Sequence, residues 1–180
     1  MVPISWTSPR TWVASEKPTA STFNTHVRDN LDAAAGANKA ACRVYNSAAI
    51  TCTTGVATTL TFDSERFDTQ SMHSTSVNTG RITIPTGWAG LYYFEAHIGW
   101  ASNATGIRQL YMLINGTTVF AVNDVTSVTA NAFAMSVSGL YRLAVADYVT
   151  VIATQTSGGN LNVTQAAAYT PEFACVWLGA

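Results

Sequence analysis

The chain has 180 residues, of which 48% are hydrophobic and only 11% are charged. This length suits one compact domain with an appendage, and the apolar content suffices for a core without disulfides or metals. Average soluble domains carry about 25% charged residues, so charge this sparse predicts that part of the surface is covered in an assembly. With a net charge of −1 and nine scattered Lys and Arg residues, the chain lacks the basic patch that nucleic-acid binding requires.

The sequence gives no sign of membrane insertion, secretion or metal binding. No apolar run approaches the ~20 residues that span a bilayer, and the start MVPISWTSPR lacks the basic and apolar regions of a secretory signal. Cys42, Cys52 and Cys175 are odd in number and have no metal-ligand spacing, so we expect small buried thiols. A disulfide between Cys42 and Cys52 stays open, because sequence alone cannot support it. No metal or other cofactor is expected.

Residues 1–40 differ in character from the rest of the chain. The stretch SWTSPRTWVASEKP is polar, punctuated by proline and carries two tryptophans, as in an extended arm. After Pro18, Thr19 or Ser21 can cap a short helix, which Gly36 can end. A helix of about three turns is marginal alone and must lay its apolar face on another surface.

We therefore predict that residues 1–40 form an N-terminal anchoring arm with one short helix. Exposed tryptophan is costly unless it docks, and the apolar residues of the helix recur at i, i+4 and i+8. The predicted attachment residues are Trp6, Trp12, Phe23, Val27 and Leu31. The alternative is an arm that folds back on its own domain.

From residue 41 onward, apolar residues alternate with polar ones, which predicts an all-β sandwich over residues 41–180. In the run 90–100, Tyr92 and Phe94 fall on one face, whereas Tyr93 and Glu95 fall on the other. Strands are predicted near residues 42–50, 56–62, 81–85, 90–100, 107–115, 117–122, 131–144, 147–155, 161–168 and 172–178.

Two segments, LYMLI (110–114) and FACVWLG (173–179), are apolar on both faces. Such strands are covered by the core on one side and by a further layer on the other. In a two-sheet sandwich, the simplest further layer is a neighbouring subunit. The predicted interface residues are Leu110, Tyr111, Met112, Leu113, Phe173, Val176 and Trp177.

No arrangement of residues indicates catalysis. None of the three histidines has the spacing of a metal site or of a nucleophile–base pair, and there is no G-x-S-x-G elbow or Walker loop. Asp63, Glu65 and Asp68 lie close together in sequence, but a Ca²⁺ site needs about 6–8 oxygen ligands, so solvated, turn-forming carboxylates are the favoured interpretation. The chain is predicted not to be an enzyme.

Three stretches follow one another in the larger, C-terminal part of the chain: GRITIPTGWAGLYYFEAHI, SGLYRLAVADYVTVIATQ and EFACVWLG. Their order, over about residues 67–180, resembles the C1q/TNF-like domain. The matching motif positions include Gly80, Arg81, Pro85, Gly90, Tyr92, Phe94, Ser138, Gly139, Leu143, Asp147, Val149 and Val151. One departure is Ala146, which stands where the family has glycine. The resemblance implies an antiparallel jelly-roll sandwich that forms a homotrimer, with the interface residues named above at the trimer interface.

The arm SWTSPRTWVASEKPTASTFNTHVRDNLDAA resembles the opening of many structural proteins of tailed phages and prophages, which read W-T-x-P-R-T-W-V and then N-T-H-V-R-D-N-L. Together, the two resemblances imply a trimeric jelly-roll knob that the arm fixes to a phage capsid or tail protein. The expected place is the virion surface, after synthesis in the cytoplasm of the bacterial host.

Two functions for such a knob stay open. Short length and the absence of a shaft favour capsid decoration or a head fibre, since tail fibres need reach. The alternative is a short tail-fibre or tail-tip protein that binds a glycan on the host surface. An exposed Trp88 would favour that alternative, but we expect Trp88 to be packed. A cytosolic bacterial protein encoded by a prophage is a third and weaker possibility.

Overall fold

The computed structural model describes residues 7–8, 10–35, 39–127, 131–166 and 169–180. The chain divides into two compact units, residues 1–39 and 40–180. The predictions on Trp6, on Gly36 and on the last two residues of the strand near 161–168 fall outside the described residues.

The first unit contains the helix, which consists of Ala20–Phe23 (α1), a π-helical turn at Asn24–Arg28 and Asp29–Ala35 (α2). Thr19 has an extended backbone, and its hydroxyl oxygen accepts the N–H of Thr22 at 3.2 Å. Thr19 is therefore the N-cap, one of the two residues that the sequence offered for that position.

The second unit consists of strands that pair in antiparallel fashion throughout the described residues. The strands are β1 Ala41–Tyr45, β2 Ile50–Cys52, β3 Thr58–Thr59, β4 Ser64–Asp68, β5 Arg81–Thr83, β6 Gly90–Trp100, β7 Ile107–Ile114, β8 Thr118–Thr126, β9 Phe133–Leu143, β10 Tyr148–Gln155, β11 Leu161–Thr164 and β12 Glu172–Gly179. The prediction of an all-β antiparallel sandwich with one short helix is confirmed.

The strands form two sheets. In the described part of the chain, the larger sheet has seven strands in the order β2-β11-β6-β12-β1-β4, with β9 on the free side of β6. The smaller sheet has five strands in the order β3-β10-β7-β8, with β5 also paired to β10. Strands from the two ends of the unit, β1 and β12, are neighbours, as a jelly roll requires.

The apolar core lies between the two sheets and is dominated by aromatic residues from the larger one. The ring of Phe94 stacks at 5.8 Å on Tyr92 and at 5.9 Å on Phe173, and all three side chains are buried. The smaller sheet contributes Leu110 and Met112 to this cluster. The alternation predicted for the run 90–100 is confirmed.

Two strand predictions near the start of the second unit were wrong. The strand predicted at 42–50 is interrupted after β1, because the Asn46 amide donates to the backbone oxygen of Thr61 at 2.6 Å and the Ser47 N–H donates to Asp63 at 2.9 Å. The side-chain oxygen of Asn46 also accepts the N–H of Ala48 at 2.9 Å, and a local bond of this kind competes with ladder pairing and turns the chain. Strand β4 was missed because its sequence SERFD is mostly polar, as suits an edge strand.

Candidate functional site

The outward face of the larger sheet carries an apolar band. Tyr93 of β6 lies opposite Leu140 of β9 on one side and Val176 of β12 on the other, and Val176 in turn lies opposite Ala41 of β1. Phe67 of β4 extends the band and is 48% exposed. A groove of about 340 Å³ runs along this band between Phe67 and Tyr93. An exposed apolar face of this kind indicates an interaction surface.

Beside the apolar band, the same face holds a buried carboxylate. Glu172 is bonded by the Nε of Arg43 at 2.6 Å and by a guanidinium nitrogen of Arg66 at 3.0 Å, and Arg43 also forms an ion pair with it. Burial raises the pKa of Glu172, but the hydrogen bonds and charges of Arg66 and Arg43 outweigh it and hold that pKa below its usual value. The Arg66 guanidinium also lies 4.1 Å over the ring of Tyr45.

A second apolar patch lies on β8, at the edge of the smaller sheet. Val119 and Val122 are exposed there and lie opposite Leu113 and Tyr111 of β7. Phe120 links this edge to the core, since its ring lies 6.0 Å from the ring of buried Phe94 and 5.6 Å from the ring of Tyr141 on β9. Gly139 permits this packing, because a Cβ atom at that position would come within 3.0 Å of the Phe120 ring.

The predicted interface residues are divided by their burial. Leu110, Met112 and Phe173 have no exposed surface, because they fill the core of their own subunit. The prediction that these three residues lie at a subunit interface was wrong. Tyr111, Leu113, Val176 and Trp177 are partly exposed. Val176 belongs to the apolar band.

The side chain of Trp177 packs against residues of its own subunit. Its ring meets the ring of buried Trp88 edge-on at 5.2 Å, and its Nε1 donates to the backbone oxygen of Ala89 at 3.3 Å. The expectation that Trp88 is packed is confirmed. Phe67, Leu140, Val119 and Val122 were not predicted as surface-contact residues from the sequence, although the alternation in β6 placed Tyr93 on the outward face.

The first unit presents four of the five predicted attachment residues at its surface. Trp12, Phe23, Val27 and Leu31 are exposed, with Leu31 at 63%. The rings of Trp12 and Phe23 lie 6.2 Å apart, so the extended segment packs against the start of the helix. The side chain of Asn30 ties the same segment down, because it bonds both the N–H and the carbonyl oxygen of Thr7.

The acidic residues that could have bound Ca²⁺ have other partners. Asp63 accepts bonds from Ser47, which lower the pKa of its carboxyl group. Asp68 accepts the N–H groups of Gln70 and His73. No metal-type cluster of His, Cys, Asp and Glu occurs in the described ranges of the chain.

The cysteines are free and buried. Cys42 pairs in register with Cys175 across β1 and β12, whereas Cys52 lies on β2, which β11, β6 and β12 separate from β1. A disulfide between Cys42 and Cys52 is therefore absent. Burial raises the pKa of all three thiols, as expected of small residues in an apolar core.

Among the described residues, none of the helices has the length and apolar character needed to span a membrane.

Comparison with known proteins identifies the fold. No family model and no curated protein matches the chain. Murine APRIL at pH 5.0 superposes with a TM-score of 0.58 at 10% identity, over 78% of this chain and 99% of that chain. Murine APRIL at pH 8.0 gives 0.56 at 9% identity with the same coverage. The globular domain of zebrafish complement 1qA gives 0.48 at 17% identity, over 76% and 95% of the two chains. The second unit has the C1q/TNF-like jelly-roll fold.

Proposed function

We propose that the protein is a non-enzymatic surface protein of a tailed-phage virion, in which a homotrimeric knob is attached through the N-terminal unit. The homotrimer is proposed because the second unit has two apolar surfaces. The attachment rests on the exposed apolar residues of the first unit and on the resemblance of the arm sequence to phage structural proteins.

The two apolar surfaces favour a head-to-tail contact between subunits. The apolar band, with Tyr93, Val176 and Phe67, lies on the broad face of the larger sheet. The patch with Val119 and Val122 lies on an edge strand of the smaller sheet. Because the two surfaces differ, the edge of one subunit can cover the band of the next, and such heterologous contacts close into a ring at a suitable rotation. A ring of three agrees with the jelly-roll resemblance and with the low charge of the chain.

Capsid decoration, or a head fibre, is the favoured role. The first unit exposes Phe23, Val27 and Leu31 on its helix and Trp12 on the segment beside it. Residues of this type bury enough apolar surface on a partner to hold a small protein in place. The partner is then a capsid protein, the site of action is the virion surface, and the protein is made in the cytoplasm of the bacterial host.

The copy number per particle tests the proposal. Quantitative mass spectrometry of purified virions should find this polypeptide in hundreds of copies, in a multiple of three. A few copies per particle would support the alternative, a short tail fibre or tail-tip protein that binds a host glycan. Absence from purified virions would overturn the proposed function.

A further inference from the structure

A small polar cavity of about 260 Å³ lies between the loop 69–80 and strand β5. It is just below the size range of drug-sized pockets, so it suits a single small group. The polar residues that line it are Ser71, His73, Ser74, Asn78, Arg81 and Thr83. The cavity goes beyond the proposed function and does not depend on where the protein sits on a particle.

Arg81 is the only arginine or lysine among the lining residues. Its guanidinium lies 4.7 Å over the ring of Tyr148, which orients its plane. In the described part of the chain, Arg81 forms no ion pair. Its N–H groups therefore remain available to an acidic group, which a guanidinium binds in a two-pronged fashion.

The loop 69–80, which forms part of the cavity wall, is held in one shape by hydrogen bonds. The His73 ring is fully buried, with its two nitrogens 3.1 Å from Glu65 and 3.1 Å from the Thr79 carbonyl oxygen. The N–H of Thr83 donates to the carbonyl oxygen of Met72 at 2.8 Å. These bonds fix the loop before any ligand arrives, which lowers the entropy cost of binding.

The loop also contains a strained residue. Ser71 has φ of 54°, in the left-handed region that residues with a Cβ atom rarely adopt, whereas Asn78 has the same φ but is of a residue type that tolerates it. Strain of this kind persists where the surrounding contacts impose it, and it concentrates at ligand sites. Both residues line the cavity.

We infer that this cavity binds the carboxylated sugar unit of an acidic glycan. One unpaired guanidinium matches one carboxylate. The hydroxyl groups of Ser71, Ser74 and Thr83 and the amide of Asn78 match sugar hydroxyls, and Val77 supplies an apolar surface for the ring. The cavity lies against β5 of the smaller sheet, which β10 and β7 separate from the β8 edge.

The test uses the full-length protein and the methyl glycosides of N-acetylneuraminic acid and glucuronic acid, with methyl glucoside as the uncharged control. Binding is followed by ligand-observed NMR titration, because one sugar unit is expected to bind with a Kd of roughly 1 mM. Arg81→Gln should weaken binding about tenfold or more, since it removes charge-assisted hydrogen bonds. Arg142→Gln on β9 of the larger sheet removes the same charge and should change the Kd by less than about twofold.

A second variant keeps the test independent of the Arg81 side chain. Asn78→Asp places a carboxylate beside the guanidinium and tolerates the left-handed backbone, so it should abolish binding while the circular dichroism spectrum stays unchanged. Failure of the wild-type protein to bind either acidic sugar would overturn the inference, and so would unchanged binding in both variants. Equal competition by inorganic phosphate would overturn the assignment to a sugar.

Discussion

Ala146 adopts a left-handed backbone, with φ of 70°, directly before Asp147, whose carboxylate accepts the N–H of Ala144 at 2.7 Å. The turn between β9 and β10 thus has the conformation that glycine favours, although a side chain is present. At this residue the sequence departs from the C1q/TNF-like pattern, which has glycine. The turn nevertheless forms, with Ala146 in a strained backbone conformation.

Ala146→Gly should therefore stabilise the fold. The left-handed conformation costs a residue with a Cβ atom about 1–2 kcal/mol, of which the greater freedom of glycine in the unfolded chain offsets a part. We expect a gain of about 0.5–1 kcal/mol in the free energy of unfolding, measured by urea denaturation at fixed protomer concentration. Ala144→Gly is the matched control and should be neutral or destabilising. A less stable Ala146→Gly variant would contradict the strain argument.

Glu172 should control the stability of the knob in acid. Its folded-state pKa lies below the usual 4.5, so it contributes stability that is complete above that value and is lost as the pH falls through the folded pKa. Glu172→Gln should cost about 1–3 kcal/mol at pH 7, because it weakens the bonds to Arg43 and Arg66. It should also flatten the loss of stability below pH 4.5. Thermal unfolding at several pH values measures both effects.

Glu95→Gln serves as the control, since Glu95 lies exposed on the same face. Its unfolding temperature should follow that of the wild-type protein across the same pH series. Equal effects of the two substitutions would show that the arginine pair has no special part in acid stability.

Arg108 should tolerate methionine better than lysine. Its buried guanidinium donates to the carbonyl oxygens of Thr105, Ile107 and Asn103, and burial lowers its pKa. A lysine at this position would bury a more strongly hydrated ammonium that cannot reach three carbonyl groups. We expect Arg108→Lys to lose about 2–4 kcal/mol and Arg108→Met to lose less. Urea unfolding of both variants checks the order, and a more stable lysine variant would contradict it.

Much of the fold could be predicted from the sequence, because it depends on local alternation. Strand β6 was predicted at its observed bounds, and Tyr92 and Phe94 face the core as expected. The interface residues were harder. In LYMLI and FACVWLG, both faces are apolar, so the sequence could not separate residues such as Leu110, which fills the core, from Val176, which lies on the outward face.

The missed surface residues depend on pairings between distant strands. Leu140 and Tyr93 are neighbours only because β9 pairs with β6, and Phe67 joins them only because polar β4 pairs with β1. The strain at Ala146 was likewise hidden, because a residue type does not reveal its φ angle. Only the departure from the family pattern gave a signal there.

Leu140→Asp should separate the proposed trimer into folded monomers. Leu140 is 57% exposed and belongs to the apolar band, so a charge there would be buried without a partner on assembly. Sedimentation velocity at micromolar concentration should show the monomer for this variant and the trimer for the wild-type protein. Val77→Asp, in the loop 69–80, changes an equally exposed residue away from both surfaces and should leave the trimer intact.

The first unit should be dispensable for folding of the knob but necessary for attachment. The core contains residues from Ala40 onward, and the chain divides at the same place. A shortened chain that begins at Lys39 should fold and form trimers with an unfolding temperature close to that of the full chain. It should fail to bind virions that lack the wild-type protein. Loss of the folded knob on truncation would mean that the first unit belongs to the core.

Trp12→Ala tests the attachment residues within the intact chain. Trp12 packs on Phe23, and together they offer a large aromatic surface beside the helix. Burying a tryptophan or phenylalanine on a partner stabilises the contact by about 1.5–3 kcal/mol, so the variant should bind such virions roughly tenfold or more weakly. Val13→Ala is the control, since Val13 is exposed and smaller. Binding is measured by cosedimentation of labelled protein with the particles. Because the knob has its own core, the trimer should be unchanged in both variants, and equal losses in both would contradict a specific role for Trp12.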